Sequence, residues 1–201
     1  MYVGRIVAVG RSNEKSWVGY RVSSRSFPNR TAEVLGSSIM VSPKNPQDLA
    51  KNPYIAYNCI RTNGNAAIVA NGTQADTIIE KMEDGFPPLD AIAFTLLAYS
   101  YERDELDTPR LAGAIRGNKA WLGIAMKGEF RVKEFTLKDG DAFMVATYEK
   151  TGFERLSMSG HDALEVSKAA FALPFEKPVC SASAMQADKG SGFELAVFNP
   201  A

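Results

Sequence analysis

Short apolar, β-rich runs broken by turn residues dominate the first and last parts of the chain, with helical patterns in blocks between them. Tyr2–Val9 and Trp17–Ser24 read as two strands of an opening hairpin, joined by a loop that begins at Gly10-Arg11-Ser12-Asn13. Val34–Val41 reads as one strand, and the proline-rich Pro43–Pro53 as a loop. Tyr54–Arg61 and Ala66–Ala70 flank Thr62-Asn63-Gly64-Asn65, whose Asn-Gly pair is a strong turn signal. Thr73 and Asp76 have the spacing of a helix cap, and the helix runs through Ile78, Ile79 and Met82 to Gly85. Pro87-Pro88 offers a first-turn proline to a second helix. Its Leu89, Ile92, Ala93, Leu96 and Leu97 predict a buried stripe that fades into the charged run Tyr101–Arg110.

Strands return at Ala120–Met126, Phe130–Leu137 and Ala142–Tyr148, with Lys127-Gly128 and Asp139-Gly140 as turns. Ser159 and Asp162 cap a third helix, His161–Leu173, which Pro174 stops. Val179–Met185 and Phe193–Phe198 close the chain around a turn at 188–192. No repeat and no Gly/Ser linker interrupts this order, so residues 1–201 read as one domain. Hairpins imply antiparallel pairing, and the helices come in blocks. The class is therefore α+β, with two stacked sheets of roughly ten strands in all and the three helices outside.

Composition narrows the function. Lys+Arg and Asp+Glu are equal at 23 each in 201 residues, and such a balance argues against a general nucleic-acid binder. Any positive site has to be local. The start MYVGRIVAVG lacks the form of a signal peptide, and the longest uncharged apolar run, Ala91–Tyr101, is too short to span a bilayer. Cys59 and Cys180, far apart in sequence, are expected as reduced thiols. A soluble cytoplasmic protein without membrane partners is the expectation.

The local positive site is Lys15–Ala32, which contains no Asp or Glu. Within it Arg21, Arg25 and Arg30 are interleaved with Ser23, Ser24, Ser26 and Asn29. In a strand, Arg21, Ser23 and Arg25 fall on one face, presenting guanidinium forks and a hydroxyl suited to phosphate or carboxylate oxygens. Phe27-Pro28 ends the strand. The alternative is a solvated basic edge strand.

Other chemistry is sparse. A Walker A loop and an HExxH pair are absent, and Gly190-Ser191-Gly192 is a loose GxG in a turn. His161 is the sole histidine, so a His-rich metal or catalytic centre is not expected. A Cys59–His161 dyad requires the two to meet in space, and Tyr2 cannot serve as an N-terminal nucleophile. What remains is arginine, carboxylate, tyrosine and amide. Tyr57, Asn58 and Arg61 lie on a strand, and Glu102, Asp104, Glu105 and Asp107 sit in the run YSYERDELDTPR. Either Glu102 or Glu105 could turn inward against the arginines, the two sharing a face if the second helix continues.

The stretches MYVGR, YRVSSRSFPNR, AYNCIRTNG and YERDELDTPRLAG together resemble the archaeal-type IMP cyclohydrolases, over essentially the whole chain. The resemblance implies closure of formyl-AICAR ribonucleotide (FAICAR) to inosine monophosphate with loss of water. It also implies an N-terminal-nucleophile-hydrolase-like fold, four layers αββα, with the pocket between the sheets. It implies catalytic roles for Arg30 and Glu102, with no metal and no cofactor. The 5′-phosphate would look to Arg21, Ser23, Ser24 and Arg25, and base or ribose to Asn29, Tyr57, Asn58 and Arg61. The partner is then a purine-precursor mononucleotide, and a homo-oligomer is compatible with the sequence. Two rival readings are a non-catalytic purine-mononucleotide-binding protein and an amide hydrolase using Cys59.

Overall fold

Two antiparallel sheets lie face to face, and the apolar residues of their facing sides make the central core. The structure, a computed structural model, describes residues 1–50, 53–188 and 192–200. Gly190 and Ser191 of the expected GxG, and with them part of the turn at 188–192, therefore lie outside the described residues, as does part of the loop 43–53. The strands are β1 (Ile6–Ser12), β2 (Lys15–Ser23), β3 (Arg30–Leu35), β4 (Ser38–Pro43), β5 (Tyr57–Thr62), β6 (Ala66–Ala70) and β7 (Arg110–Arg116). They continue with β8 (Lys119–Met126), β9 (Glu129–Thr136), β10 (Ala142–Ala146), β11 (Glu154–Arg155), β12 (Pro178–Gln186) and β13 (Phe193–Phe198). The helices are α1 (Gln74–Glu83), α2 (Pro88–Tyr99) and α3 (Ala163–Phe171). One sheet runs β11-β10-β1-β2-β12-β13 and the other β3-β4-β5-β6-β7-β8-β9.

Three apolar clusters define the layers. Val7, Val18, Tyr20 and Val22 meet Ile60, Val69, Leu111 and Leu122 between the sheets. Ile78, Ile79, Ile92 and Leu96 of α1 and α2 cover the outer face of the seven-stranded sheet. Val166 and Ala170 of α3 pack with Ile6, Trp17 and Met144 on the outer face of the six-stranded sheet. The alternation of each strand explains this: one set of side chains enters the central core and the other meets a helix.

Several elements differ from the sequence reading for local reasons. The opening hairpin is tighter than expected: β1 and β2 pair from Ile6↔Arg21 to Ser12↔Lys15, around Asn13 and Glu14, both at positive φ. Two positive φ values make this turn type I′, and the usual Asn-Gly signal is missing. Val34–Val41 is not one strand but the hairpin of β3 and β4, turning at Gly36, whose φ of +59° suits a residue without Cβ. Strand β7 was not evident, because Leu-Ala-Gly-Ala-Ile is short on β-branched residues and follows a charged run. Tyr54 falls in a short 3-10 turn rather than in a strand. Asp162, not Ser159, caps α3, its carboxylate accepting from the Glu165 N–H at 2.7 Å.

The stripe of α2 is rotated from its expected phase. Ala91, Ile92, Thr95 and Leu96 are buried, while Leu89 and Leu97 are exposed. This helix is apolar around most of its circumference, so its periodicity does not select a face. Gly123 of β8 selects it: a Cβ there would lie 2.7 Å from Ile92 Cγ2 and 2.8 Å from Leu96 Cδ1. Among the described residues no helix is long and apolar enough to cross a membrane. Gly123→Ala should therefore cost about 1–3 kcal/mol of stability by overpacking, read as a lowered denaturant midpoint with unchanged slope; an unchanged midpoint would show that α2 seats itself differently.

Candidate active site

The site gathers where the first residues of β1 and β7 come side by side, one from each sheet. Arg5 immediately precedes β1, and Arg110 opens β7. Between them sits Glu102, buried at 3 % exposure. Arg5 Nη2 lies 3.5 Å from Glu102 Oε2, and Arg110 Nη1 lies 3.6 Å from Oε1. One carboxylate thus spans cations held by two different sheets.

The backbone puts Glu102 there by ending the helix early. Helix α2 stops at Tyr99, and Ser100 turns the chain at φ 57°, ψ −159°. That region is almost confined to glycine, so the turn stores about 1–3 kcal/mol of strain. The loop that follows is tied down from within. Glu102 N–H donates to Thr108 O at 2.8 Å, and Asp104 accepts from the N–H of Leu106 and Thr108 and from the Thr108 hydroxyl. Tyr148 Oη shares a hydrogen bond with the same hydroxyl at 2.8 Å. The helix does not continue through Glu105, the condition under which the two glutamates would share a face. Glu105 is exposed on this loop, which leaves Glu102 as the inward carboxylate.

Arg30, first residue of β3, is buried and faces the same cleft. Its Nε donates to Phe27 O at 3.1 Å, which leaves the two terminal nitrogens for other partners. Burial pushes the Glu102 pKa above the ordinary glutamate range, although Arg5, Arg110 and Arg30 all pull the other way. Beneath the site Tyr20 and Tyr57 share a hydrogen bond at 2.7 Å within the central core, and burial pushes both hydroxyls up.

The cleft holding Arg5, Arg30, Glu102 and Tyr148 has a volume of about 90 Å³. A second cavity of about 270 Å³ shares Ser26, Phe27, Arg30 and Ile55 with it. The strap 24–29 thus separates two halves of one groove. A larger cavity of about 760 Å³ lies at the opposite ends of β1 and β7, where none of the described charged residues lining it is buried. Among the described residues no group of three or more His, Cys, Asp or Glu is placed to hold a metal ion.

The other expected site residues divide. Ser24 lines the cleft, and Asn29 lines the adjoining cavity. Arg25, beyond the end of β2, stacks over the Tyr2 ring at 4.2 Å and pairs with Glu176 at 3.1 Å. Arg21 and Ser23 do share a strand face, but it is the outer one. Arg21 donates to the carbonyls of Leu173 and Phe175 below the end of α3, and burial pushes its pKa down to about 10. Asn58 and Arg61 both turn to Asp76 on α1. The row Arg21–Ser23–Arg25 therefore does not enter the cleft, and neither do Asn58 and Arg61. Tyr57 lies under the cleft in the core.

Arg5, Arg110 and Tyr148 were not assigned to the site from sequence, and Asp104 was named only as one carboxylate of its run. The signal for Arg5 was present, as a charge inside an apolar run that the sheet otherwise buries. The Cys59–His161 dyad does not form: His161 is exposed beside Asn13, whereas Cys59 is enclosed between the sheets. Burial raises both thiols, Cys180 to about 12, so neither is a ready nucleophile. The native protein should accordingly leave both thiols unlabelled by maleimide and expose two in denaturant; rapid labelling of the native form would contradict this packing.

Comparison with known proteins identifies the family. A family profile described as IMP cyclohydrolase-like protein matches residues 2–190. A protein of Methanothrix thermoacetophila named IMP cyclohydrolase is 59% identical over 200 residues, covering 100% of both chains. Proteins of the same name from Methanocella arvoryzae and Halobacterium salinarum are 50% and 40% identical, covering 99% of this chain and 98% and 99% of their own. The chain belongs to the IMP cyclohydrolase-like protein family.

Proposed function

We propose that this protein is an IMP cyclohydrolase, closing FAICAR to inosine monophosphate and water. The observation that carries the reading is the buried Glu102 between Arg5 and Arg110, opposite Arg30, in a chain with full-length relatives of that name. The helix–sheet–sheet–helix order supports an N-terminal-nucleophile-hydrolase-like fold over a single domain, and the reaction fits a cytoplasmic enzyme.

The substrate brings its own nucleophile, so orientation supplies much of the rate. The carboxamide nitrogen attacks the formyl carbon. A C–N bond forms, the carbonyl π pair moves to oxygen, and Glu102 takes the nitrogen's proton. Arg30, with two terminal nitrogens to spare, stabilises the new oxyanion, a contribution of roughly 3 kcal/mol per donor. Glu102 then returns its proton to that oxygen, and the C–O bond breaks as the pair on the former formamido nitrogen forms the C=N bond; that nitrogen's own N–H supplies the second proton, so the oxygen leaves as water. Ser24 and Asn29, along the strap, are the groups we assign to phosphate and ribose; Arg21, Ser23, Arg25, Asn58 and Arg61 act through structure instead.

Purified protein should convert FAICAR to inosine monophosphate with chelator present and nothing added; binding without turnover would instead leave a nucleotide-binding protein. Glu102→Gln should lower kcat by about 100-fold or more, and Arg30→Lys, which keeps charge but loses the fork, by about 10–100-fold. Because Glu102 acts first as a base, the rate is full above its pKa and falls as pH drops through it. Its raised pKa places that acidic limb above the ordinary glutamate range. A rate flat down to acid pH would remove Glu102 from this role.

A further inference from the structure

Arg5 and Arg110 both flank Glu102, yet their surroundings differ. Arg110 is closed off behind the carboxylate. Its Nη1 donates to Gln74 Oε1 at 3.1 Å, and its guanidinium lies against the rings of Tyr99 and Tyr54 at 5.5 and 5.8 Å. Gln74 is fixed in turn by Asn71 Oδ1 and Leu111 O at 2.8 and 3.0 Å. Arg5 instead lines the cleft, and its ion pair to Glu102 Oε2, at 3.5 Å, is longer than the 2.7–2.9 Å or so of a tight charge-assisted bond. Its fork therefore keeps N–H donors facing the cavity.

A donor and an acceptor thus stand side by side on the cleft wall: Arg5 Nη2 and Glu102 Oε2. A carboxamide presents the complement along one edge, a carbonyl oxygen beside an N–H. Resting on the cyclohydrolase reading, we propose that Arg5 is a catalytic residue that grips the carboxamide oxygen of the substrate while Glu102 Oε2 faces the N–H of the same amide. As that N–H gives its proton to Glu102, negative charge spreads onto the amide oxygen, where Arg5 meets it. Arg5 gains and loses no bond, and the electron balance of ring closure is unchanged. Arg110, on Oε1, is a positioning residue that leaves Oε2 free for the proton.

The product carries the same edge. In inosine monophosphate the closed ring keeps a carbonyl oxygen beside an N–H, whereas adenosine monophosphate reverses the pattern, with an amino donor beside a ring acceptor. A matched donor–acceptor pair discriminates such edges by about 10–100-fold.

The experiment measures binding of both nucleotides by calorimetry, and FAICAR turnover, for wild type, Arg5→Met, Arg5→Lys and Arg110→Lys, each checked for folding by circular dichroism. Wild type should prefer inosine monophosphate by at least about tenfold. Arg5→Met should lose most of that preference and about 100-fold in kcat. Arg5→Lys, which preserves the charge beside Glu102 should Arg5→Met not fold, should recover the fold and only part of the preference. Arg110→Lys should keep the preference. Wild type without preference, or folded Arg5 variants retaining it in full together with kcat, would overturn the assignment. Preference lost with Arg5 in a protein that turns over no FAICAR would uphold the edge recognition and remove only the cyclohydrolase reading.

Discussion

A single carboxylate held between cations from two sheets is the constraint around which this molecule is arranged. Glu102 reaches Arg5 from the six-stranded sheet and Arg110 from the seven-stranded one. Burial of such a cluster is not a gift to stability, since desolvating the charges offsets most of their attraction. Removing one partner is costly, at about 3–5 kcal/mol, because it strands the rest. The cluster therefore fixes the relation of the two sheets at the mouth of the cleft more than it strengthens the fold. Strength comes from the apolar side chains between and outside the sheets.

Much of the surrounding structure serves to hold that carboxylate in place. The left-handed turn at Ser100 breaks α2 before Glu102 can continue it. Asp104 then satisfies the backbone of the loop from inside, through Leu106 and Thr108. Behind Arg110, the Gln74–Asn71 pair ties α1 to β7, so the outer helix layer supports the site through hydrogen bonds rather than by contact with a ligand. On the other sheet Arg21 plays a comparable supporting role, its guanidinium filling the carbonyls at the end of α3, where a cation suits the helix dipole.

The layered class, and most strands, were legible because their turns carry local chemistry: Asn63-Gly64 and Lys127-Gly128 each stand at a hairpin, and Asp139-Gly140 where the chain crosses from one sheet to the other. What local pattern could not give was phase and partner. The Gly36-Ser37 turn hid inside an apolar run, and α2, apolar nearly all round, took its face from Gly123 on a distant strand. The site divides the same way. Arg30 and Glu102 stood out through the family likeness. Which face Arg21 takes, and that Arg5 meets Glu102 across the sandwich, depends on sheet stacking that no short window encodes. The arginine row read from spacing holds as a strand face only for Arg21 and Ser23, since β2 ends before Arg25, and spacing does not say which layer that face addresses.

The most direct test is a crystal structure with inosine monophosphate bound. The account predicts the base in the cleft, its carbonyl on Arg5 and its N–H on Glu102 Oε2, with the phosphate along the strap near Ser24 and Asn29. A nucleotide seated at the far ends of β1 and β7, or one whose base leaves Glu102 untouched, would contradict it.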